Sequence, residues 1–190
     1  MLEVSSRKQV GVWFAIALDE KGKMIACSFS GETRAKTEGE VLRSTSHDAV
    51  KRKVGPLSNT RIRELYKLYM GRGKPNPNSF DLYRISPFKR SVYRVLCQVP
   101  RGRVTTYGAI AKKLGGKRYA RAVGTAVGSN PMPLVIPCHR VVPSTLNVGN
   151  YGLPGRKPSE GTPVKRQLLE REGVRFNGLK VSKRSLWSPK

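Results

Sequence analysis

The chain has 190 residues, 38% of them apolar, with 37 Lys and Arg against 12 Asp and Glu and a net charge of +25. That length fits one ordinary domain or two small ones, with enough apolar residues to bury a core. No apolar run approaches the roughly 20 residues that span a bilayer, and the first ten residues lack the apolar stretch of a signal peptide. Three scattered cysteines (Cys27, Cys97, Cys138) with no CxxC pair exclude a disulfide scaffold. The chain is therefore expected to be cytoplasmic, in a reducing compartment, with no membrane partner.

The charge is unevenly spread. Residues 1–75 hold 15 basic and 8 acidic residues, and residues 76–190 hold 22 and 4. From Leu82 to Ser159 there is no acidic residue, while 14 Lys and Arg occur. A folded domain so biased repels itself unless a polyanion is its partner, and nucleic acid is the first candidate.

Val10–Leu18 and Met24–Phe29 are apolar runs separated by Asp19–Lys23, which predicts a hairpin. Residues 31–60 are polar and give no clear period, although His47-Asp48-Ala49-Val50 could open a short helix. Thr60–Met70 places Ile62, Leu65, Tyr66 and Tyr69 at helical spacing before Gly71 and Gly73. The Pro/Asn segment Lys74–Ser79 is the best domain boundary, giving an N-terminal domain (1–75), a linker (76–86) and a second domain (87–190).

The second domain opens with a helix over Pro87–Val99, its apolar face formed by Phe88, Val92, Leu96 and Val99. Thr105 and Thr106 are candidate N-caps for a helix over Tyr107–Leu114. Gly115-Gly116 breaks it before a third helix, Arg118–Val127. Two helices about a Gly turn inside an acid-free stretch form a helix-turn-helix pattern. In the third helix Ala122, Val123, Ala126 and Val127 form the apolar face, while Ala120, Gly124 and Gly128 make a stripe of small residues beside Arg121. Interior helical glycine costs about 1 kcal/mol relative to alanine. The stripe fits either tight helix packing or a narrow edge able to enter a minor groove. Leu134-Val135-Ile136 reads as a short buried strand framed by prolines. A closing helix, Val164–Glu172, turns Leu168 and Leu169 inward, and the basic tail after Gly173 is expected to be loosely held.

Two His and three Cys without ligand spacing give no metal site, no P-loop occurs, and the C-terminal part, with only Glu160, Glu170 and Glu172, offers no carboxylate pair for glycosidase-like or two-metal chemistry. The strongest chemical constellation is Cys138 beside His139. A cysteine attacks as thiolate, and nearby positive charge from His139, Arg140 and the basic surroundings would lower its pKa. Adjacent side chains on extended backbone point apart, so a direct contact requires a turn, or else a bridging water. A third group should orient the imidazole; Glu160, Glu170 and Glu172 are the nearby carboxylates, with Gly173 marking Glu172 as a helix end.

Ile136-Pro137-Cys138-His139-Arg140-Val141-Val142 resembles the active-site motif of the O6-alkylguanine-DNA alkyltransferases. Four further segments resemble that family in order and spacing: Val104-Thr105-Thr106-Tyr107-Gly108, Ala120–Gly124, Gly128-Ser129-Asn130-Pro131 and Val148–Tyr151. Leu168–Gly173 resembles its closing helix, so the likeness runs over about residues 88–173. The resemblance implies an α+β protein: a small ribonuclease-H-like α/β domain, then a mostly helical domain with a DNA-binding helix-turn-helix. It implies a monomeric, single-turnover methyltransferase that needs no cofactor. Double-stranded DNA containing O6-alkylguanine is its partner, and the nucleotide is flipped through the minor groove onto Cys138. His139 would act as a base through a water, Glu172 would orient it, Tyr107 would bond the flipped base, and Asn130 would brace the turn. Arg121 would fill the space left in the duplex, with Thr105, Thr106, Ala120, Gly124 and Arg140 at the DNA. Val141, Ser144, Tyr151 and Gly152 would line the substrate pocket, the carbonyls of Cys138 and Val141 accepting from the guanine amino group. Gly152 stands where many relatives carry Ser, and the loop Gly152–Thr162, with Arg156 and Lys157, is longer than the resemblance implies. Two alternatives remain: a non-catalytic alkyltransferase-like sensor, against which Cys138 itself argues, and a Cys-His hydrolase, for which no oxyanion-hole motif is evident.

Overall fold

In the computed structural model, residues 2–45, 50–83, 85–152 and 157–189 are described. The helix start expected at His47–Ala49, and Arg156, lie outside them. The fold is mixed α/β and divides into two units. One comprises described residues 2–83 with Pro131–Val135; the other comprises 85–130, 136–152 and 157–189. The linker expected over 76–86 thus belongs mostly to the first unit, as does a stretch immediately before the Cys138 segment.

The first unit holds a four-stranded sheet in the order β3-β2-β1-β4, from β1 (Leu2–Gln9), β2 (Val12–Leu18), β3 (Met24–Ser30) and β4 (Val50–Arg52). β1, β2 and β3 form an antiparallel meander, and β4 returns parallel to β1. Helix α1 (Arg34–Thr45) packs on β2 and β3, and α2 (Pro56–Tyr69) on β2. The faces of β2 divide between them. Ala15 and Ala17 pack with Val41 of α1, whereas Phe14, with Phe29, meets Tyr66 and Tyr69 of α2 edge-on. Helices on both faces explain why β2 reads as a continuous apolar run. Pro131–Val135 does not form the strand expected around Leu134. Leu134 is buried with φ +73 in a turn; Cys27 N donates to Pro131 O at 2.9 Å and Cys27 Sγ to Pro133 O at 3.2 Å.

The second unit starts with α3 (Pro87–Gln98), whose buried residues are Val92, Tyr93, Val95 and Leu96. The strand β5 (Thr105–Thr106) runs straight into α4 (Tyr107–Lys113), and Thr106 Oγ1 caps that helix by accepting from Ala109 N at 3.1 Å. After a 3-10 turn at Lys117–Tyr119, α5 (Ala120–Gly128) completes the helix-turn-helix pair. Its buried face is Val123, Ala126 and Val127, while Ala122 is exposed. Tyr93 Oη donates to the Ala126 carbonyl at 2.9 Å, tying α3 to α5. The segment Cys138–Arg140 is a 3-10 turn, followed by β6 (Val141–Val142), parallel to β5. Helix α6 (Thr162–Arg171) ends at Glu172.

The tail is not loose. It forms a hairpin, β7 (Phe176–Asn177) and β8 (Lys180–Val181), then a 3-10 turn at Lys183–Ser185. Val104 N donates to Ser185 O at 2.9 Å, and Trp187 N donates to Val104 O at 2.8 Å. Val181 lies in a cluster with Val104, Val142, Leu169 and Val174. The tail thus completes the backbone pairing of the residue that leads into β5. Val181→Asp, which buries a carboxylate in that cluster, should lower the melting temperature strongly, whereas Leu179→Asp, at an exposed position, should leave it within about 2 °C. Thermal unfolding followed by circular dichroism checks both.

Candidate active site

The turn at Cys138–Arg140 decides the site's geometry. On extended backbone the three side chains would alternate; the 3-10 turn instead buries both Cys138 and His139. The imidazole faces the end of α6, where His139 Nε2 lies 3.0 Å from Glu172 Oε1. Arg140 grips the same carboxylate bidentately, Nε to Oε2 at 2.8 Å and Nη2 to Oε1 at 2.7 Å, and its Nη1 donates to Val99 O at 2.7 Å. Arg140 was expected at the DNA; the structure shows three of its guanidinium donors committed to Glu172 and the Val99 carbonyl.

Electrostatics fix the protonation states. Burial alone would raise the Glu172 pKa, but hydrogen bonds from His139 and Arg140 hold it down at about 2. Burial pushes His139 below its ordinary value against the opposing pull of Glu172, so the ring is neutral at pH 7. A neutral ring facing a carboxylate through Nε2 carries its proton there. Nδ1 is then a lone-pair acceptor, and it is buried without a protein partner among the described residues.

Around the sulfur the sequence reading needs correction. Burial raises the Cys138 thiol pKa; the groups that lower it are Asn130, Lys165 and Tyr151, not His139 and Arg140. Asn130 also donates through Nδ2 to Ile136 O at 2.8 Å, so it links the turn after α5 to the approach to Cys138. Lys165, which the sequence pattern did not single out, is buried on α6 and donates through Nζ to Val141 O at 2.7 Å and, more weakly, to Asn150 O at 3.4 Å. Burial lowers its pKa to about 8, against an opposing effect of Cys138, so it is a cation at neutral pH. Its signal was present: Lys165, Leu168, Leu169 and Glu172 fall at i, i+3, i+4 and i+7, one inward stripe with a charge at each end. Tyr93 was missed too; it lies close enough to Cys138 to sense its charge.

The remaining predicted residues divide. Tyr107 is half-buried at the start of α4; burial raises its phenol pKa and the Cys138 charge adds to this, so the hydroxyl keeps its proton. Tyr151 is buried, close enough to Cys138 to help lower the thiol pKa. The loop that carries it is closely fitted. A Cβ on Gly149, at φ +75, would stand 2.9 Å from Pro143, and one on Gly161 would collide with the Tyr151 carbonyl. Thr162 Oγ1 donates to Gly149 O at 3.1 Å. Val141 is buried, and its carbonyl and that of Cys138 already accept from Lys165 Nζ and Val141 N respectively, leaving each one further lone pair. Ser144 and Gly152 are exposed. Of the predicted DNA contacts, Arg121 is exposed and Ala120, Gly124 and Thr106 are half-buried, but Thr105 is fully buried in β5 and is unavailable to a partner.

A buried thiol, a neutral imidazole held by a carboxylate, and a helix-turn-helix in the same unit define a cysteine-centred protein of nucleic-acid type. Comparison with known proteins agrees. Residues 87–174 match the family model of the DNA-binding domain of 6-O-methylguanine DNA methyltransferase. The methylated-DNA–protein-cysteine methyltransferase of Thermococcus sibiricus is 35% identical over 165 residues, covering 85% of this chain and 89% of that one. The protein of that name from Methanothermobacter thermautotrophicus is 41% identical over 98 residues, 52% of this chain and 51% of that one. The crystal structure of the O6-methylguanine-DNA methyltransferase from Pyrococcus kodakaraensis matches 92% of this chain and 100% of its own, with TM-score 0.70 and 27% identity. The chain belongs to the methylated-DNA–protein-cysteine methyltransferase family, whose members are enzymes of DNA repair.

Lys165→Met should move ionisation of the Cys138 thiol to higher pH by about one unit or more, because an apolar side chain of similar length replaces the cation beside the sulfur. Thiolate absorbance against pH, with Cys27→Ser and Cys97→Ser in the background, reads this directly.

Proposed function

We propose that the chain repairs DNA by moving the alkyl group of O6-alkylguanine onto its own Cys138, once per molecule. The observation that carries this reading is the neutral His139, fixed by Glu172 through Nε2 and leaving a buried basic Nδ1 on the residue next to Cys138. His139 Nδ1 takes the thiol proton, through a bridging water where the two are too far apart to touch. The thiolate, supported by Lys165, Asn130 and Tyr151, attacks the alkyl carbon; the S–C bond forms as the C–O6 bond breaks. The electron pair leaves on the guanine. The phenol of Tyr107, which keeps its proton at neutral pH, donates to that developing anion, and the imidazolium returns the proton taken from sulfur. Proton and charge balance: a thiol and an alkylguanine become a thioether and a guanine. A thioether has no good leaving group, and nothing around Cys138 is equipped to cleave one, so the reaction ends there.

Substrate access follows from burial. Cys138 is 8% exposed, so a base stacked in a duplex cannot reach it and must be turned out, at a cost of a few kcal/mol. Helix α5 suits that task. A Cβ at Gly124 or Gly128 would meet nothing within 4 Å. Internal packing therefore does not require these glycines, which favours the narrow-edge reading of the stripe. Arg121 projects exposed beside this edge, placed to fill the gap an extruded nucleotide leaves.

Two outcomes are expected. Incubation with a duplex containing O6-methylguanine should add the mass of one methylene to Cys138, read by peptide mass spectrometry, with no further turnover. Binding without an adduct would instead indicate a sensor, and continued turnover of an ester or amide would indicate a hydrolase. Arg121→Ala should slow transfer from the duplex at least about tenfold while reaction with free O6-benzylguanine changes less than about twofold, the difference corresponding to about 1.4 kcal/mol of extrusion cost. Equal slowing of both would assign Arg121 to folding or to the thiolate.

A further inference from the structure

A second concave site lies in the C-terminal unit and shares no lining residue with the Cys138 site. It is a cavity of about 330 Å³ lined by Gly102, Arg103, Gly173, Arg175, Arg184 and Ser185. Three pieces of chain meet there: the turn before β5, the exit from α6, and the tail's 3-10 turn. Side-chain to main-chain hydrogen bonds hold them together, since Arg103 Nη1 donates to the Arg184 carbonyl and Arg175 N donates to Ser185 Oγ at 3.1 Å. Gly102 and Gly173, at φ +77 and +85, add no side chains to its wall.

Its electrostatics are one-sided. Three guanidinium-bearing residues line it and no carboxylate does. Among the described residues none of Arg103, Arg175 and Arg184 forms an ion pair. The sequence has no Asp or Glu after Glu172, whose carboxylate is occupied by His139 and Arg140. All three arginines are exposed, and together they concentrate positive potential in one concave place, which attracts an anion. The carbonyls of Glu172 and Gly173 lie close to Gly102 and mark the side an anion would avoid, leaving the arginine side. Planar guanidinium forks bind phosphate oxygens bidentately.

We propose that this cavity holds a phosphodiester of the DNA backbone, as a contact separate from helix α5. Nucleic acid is favoured over a small anion because the arginines belong to a half of the chain, residues 76–190, that holds 22 basic against 4 acidic residues, the charge signature of a polyanion partner. The proposal rests on the DNA-binding reading above. Each phosphate neutralised contributes about −0.9 to the slope of log affinity against log salt. The test compares wild type with Arg175→Ala/Arg184→Ala on undamaged duplex over a range of salt. Reaction with free O6-benzylguanine verifies that the fold and Cys138 are intact. The double variant should lose about one unit of slope. Lys180→Ala/Lys183→Ala, which removes two exposed tail charges that do not line the cavity, should lose distinctly less. Equal loss in both variants would mean a diffuse charge effect and overturn the proposal, as would an unchanged slope in the arginine variant. Calorimetric binding of inorganic pyrophosphate with the DNA slope unchanged would identify a small-anion site and equally refute it. Failure of the DNA reading itself is distinguishable, because wild type would then show no duplex binding at all.

Discussion

The site depends on one carboxylate that stays ionised. Glu172 is 7% exposed, and an unpaired charge there would be costly; it is held between the His139 ring and the Arg140 guanidinium. Removing one partner of such a buried pair typically costs 3–5 kcal/mol. The chain therefore commits Arg140, inside its acid-free stretch, to an internal partner. In return the imidazole is fixed in ring orientation and tautomer, and the one basic nitrogen left over belongs to the residue adjacent to the nucleophile. The 3-10 turn makes this possible, and Pro137 immediately before it helps set the backbone that the turn needs.

The thiol obeys a different balance. Burial raises its pKa, and Lys165, Asn130 and Tyr151 only partly offset that. A thiol kept mostly protonated is protected from adventitious oxidation, and in the proposed reaction it becomes a nucleophile only when a base removes its proton. Helix α6 serves both halves of the site, with Lys165 at one end of its inward stripe and Glu172 at the other. The tight fit of Gly149 and Gly161 around the Tyr151 loop keeps that loop against the same helix.

How much of this was legible depends on where the information lies. Helices α3 and α4 show in the sequence because their apolar residues recur at helical spacing and Thr106 is a good cap. The Cys138–His139 pair and the helix-end position of Glu172 are visible as residue types, and the family resemblance joins them across 33 positions. Strand β1 was missed because it alternates Leu2 and Val4 with polar residues and buries Ser5. Helix α1 was missed because its inward side is Thr37, Glu38, Val41 and Thr45, with Glu38 paired to Arg34 and Arg52. Lys165 was passed over because lysines ordinarily face water, although its place on the inward stripe of α6 was readable. The order of the tail was hidden because it comes from main-chain bonds to Val104, which no side-chain pattern reports.

The most direct test of the account is the protonation of His139 at neutral pH, read from imidazole nitrogen chemical shifts in the folded protein. The account predicts a neutral ring protonated at Nε2, with Nδ1 carrying the lone pair. An Nδ1-protonated tautomer or a doubly protonated imidazolium at pH 7 would contradict it, because no base would then remain to take the proton from Cys138.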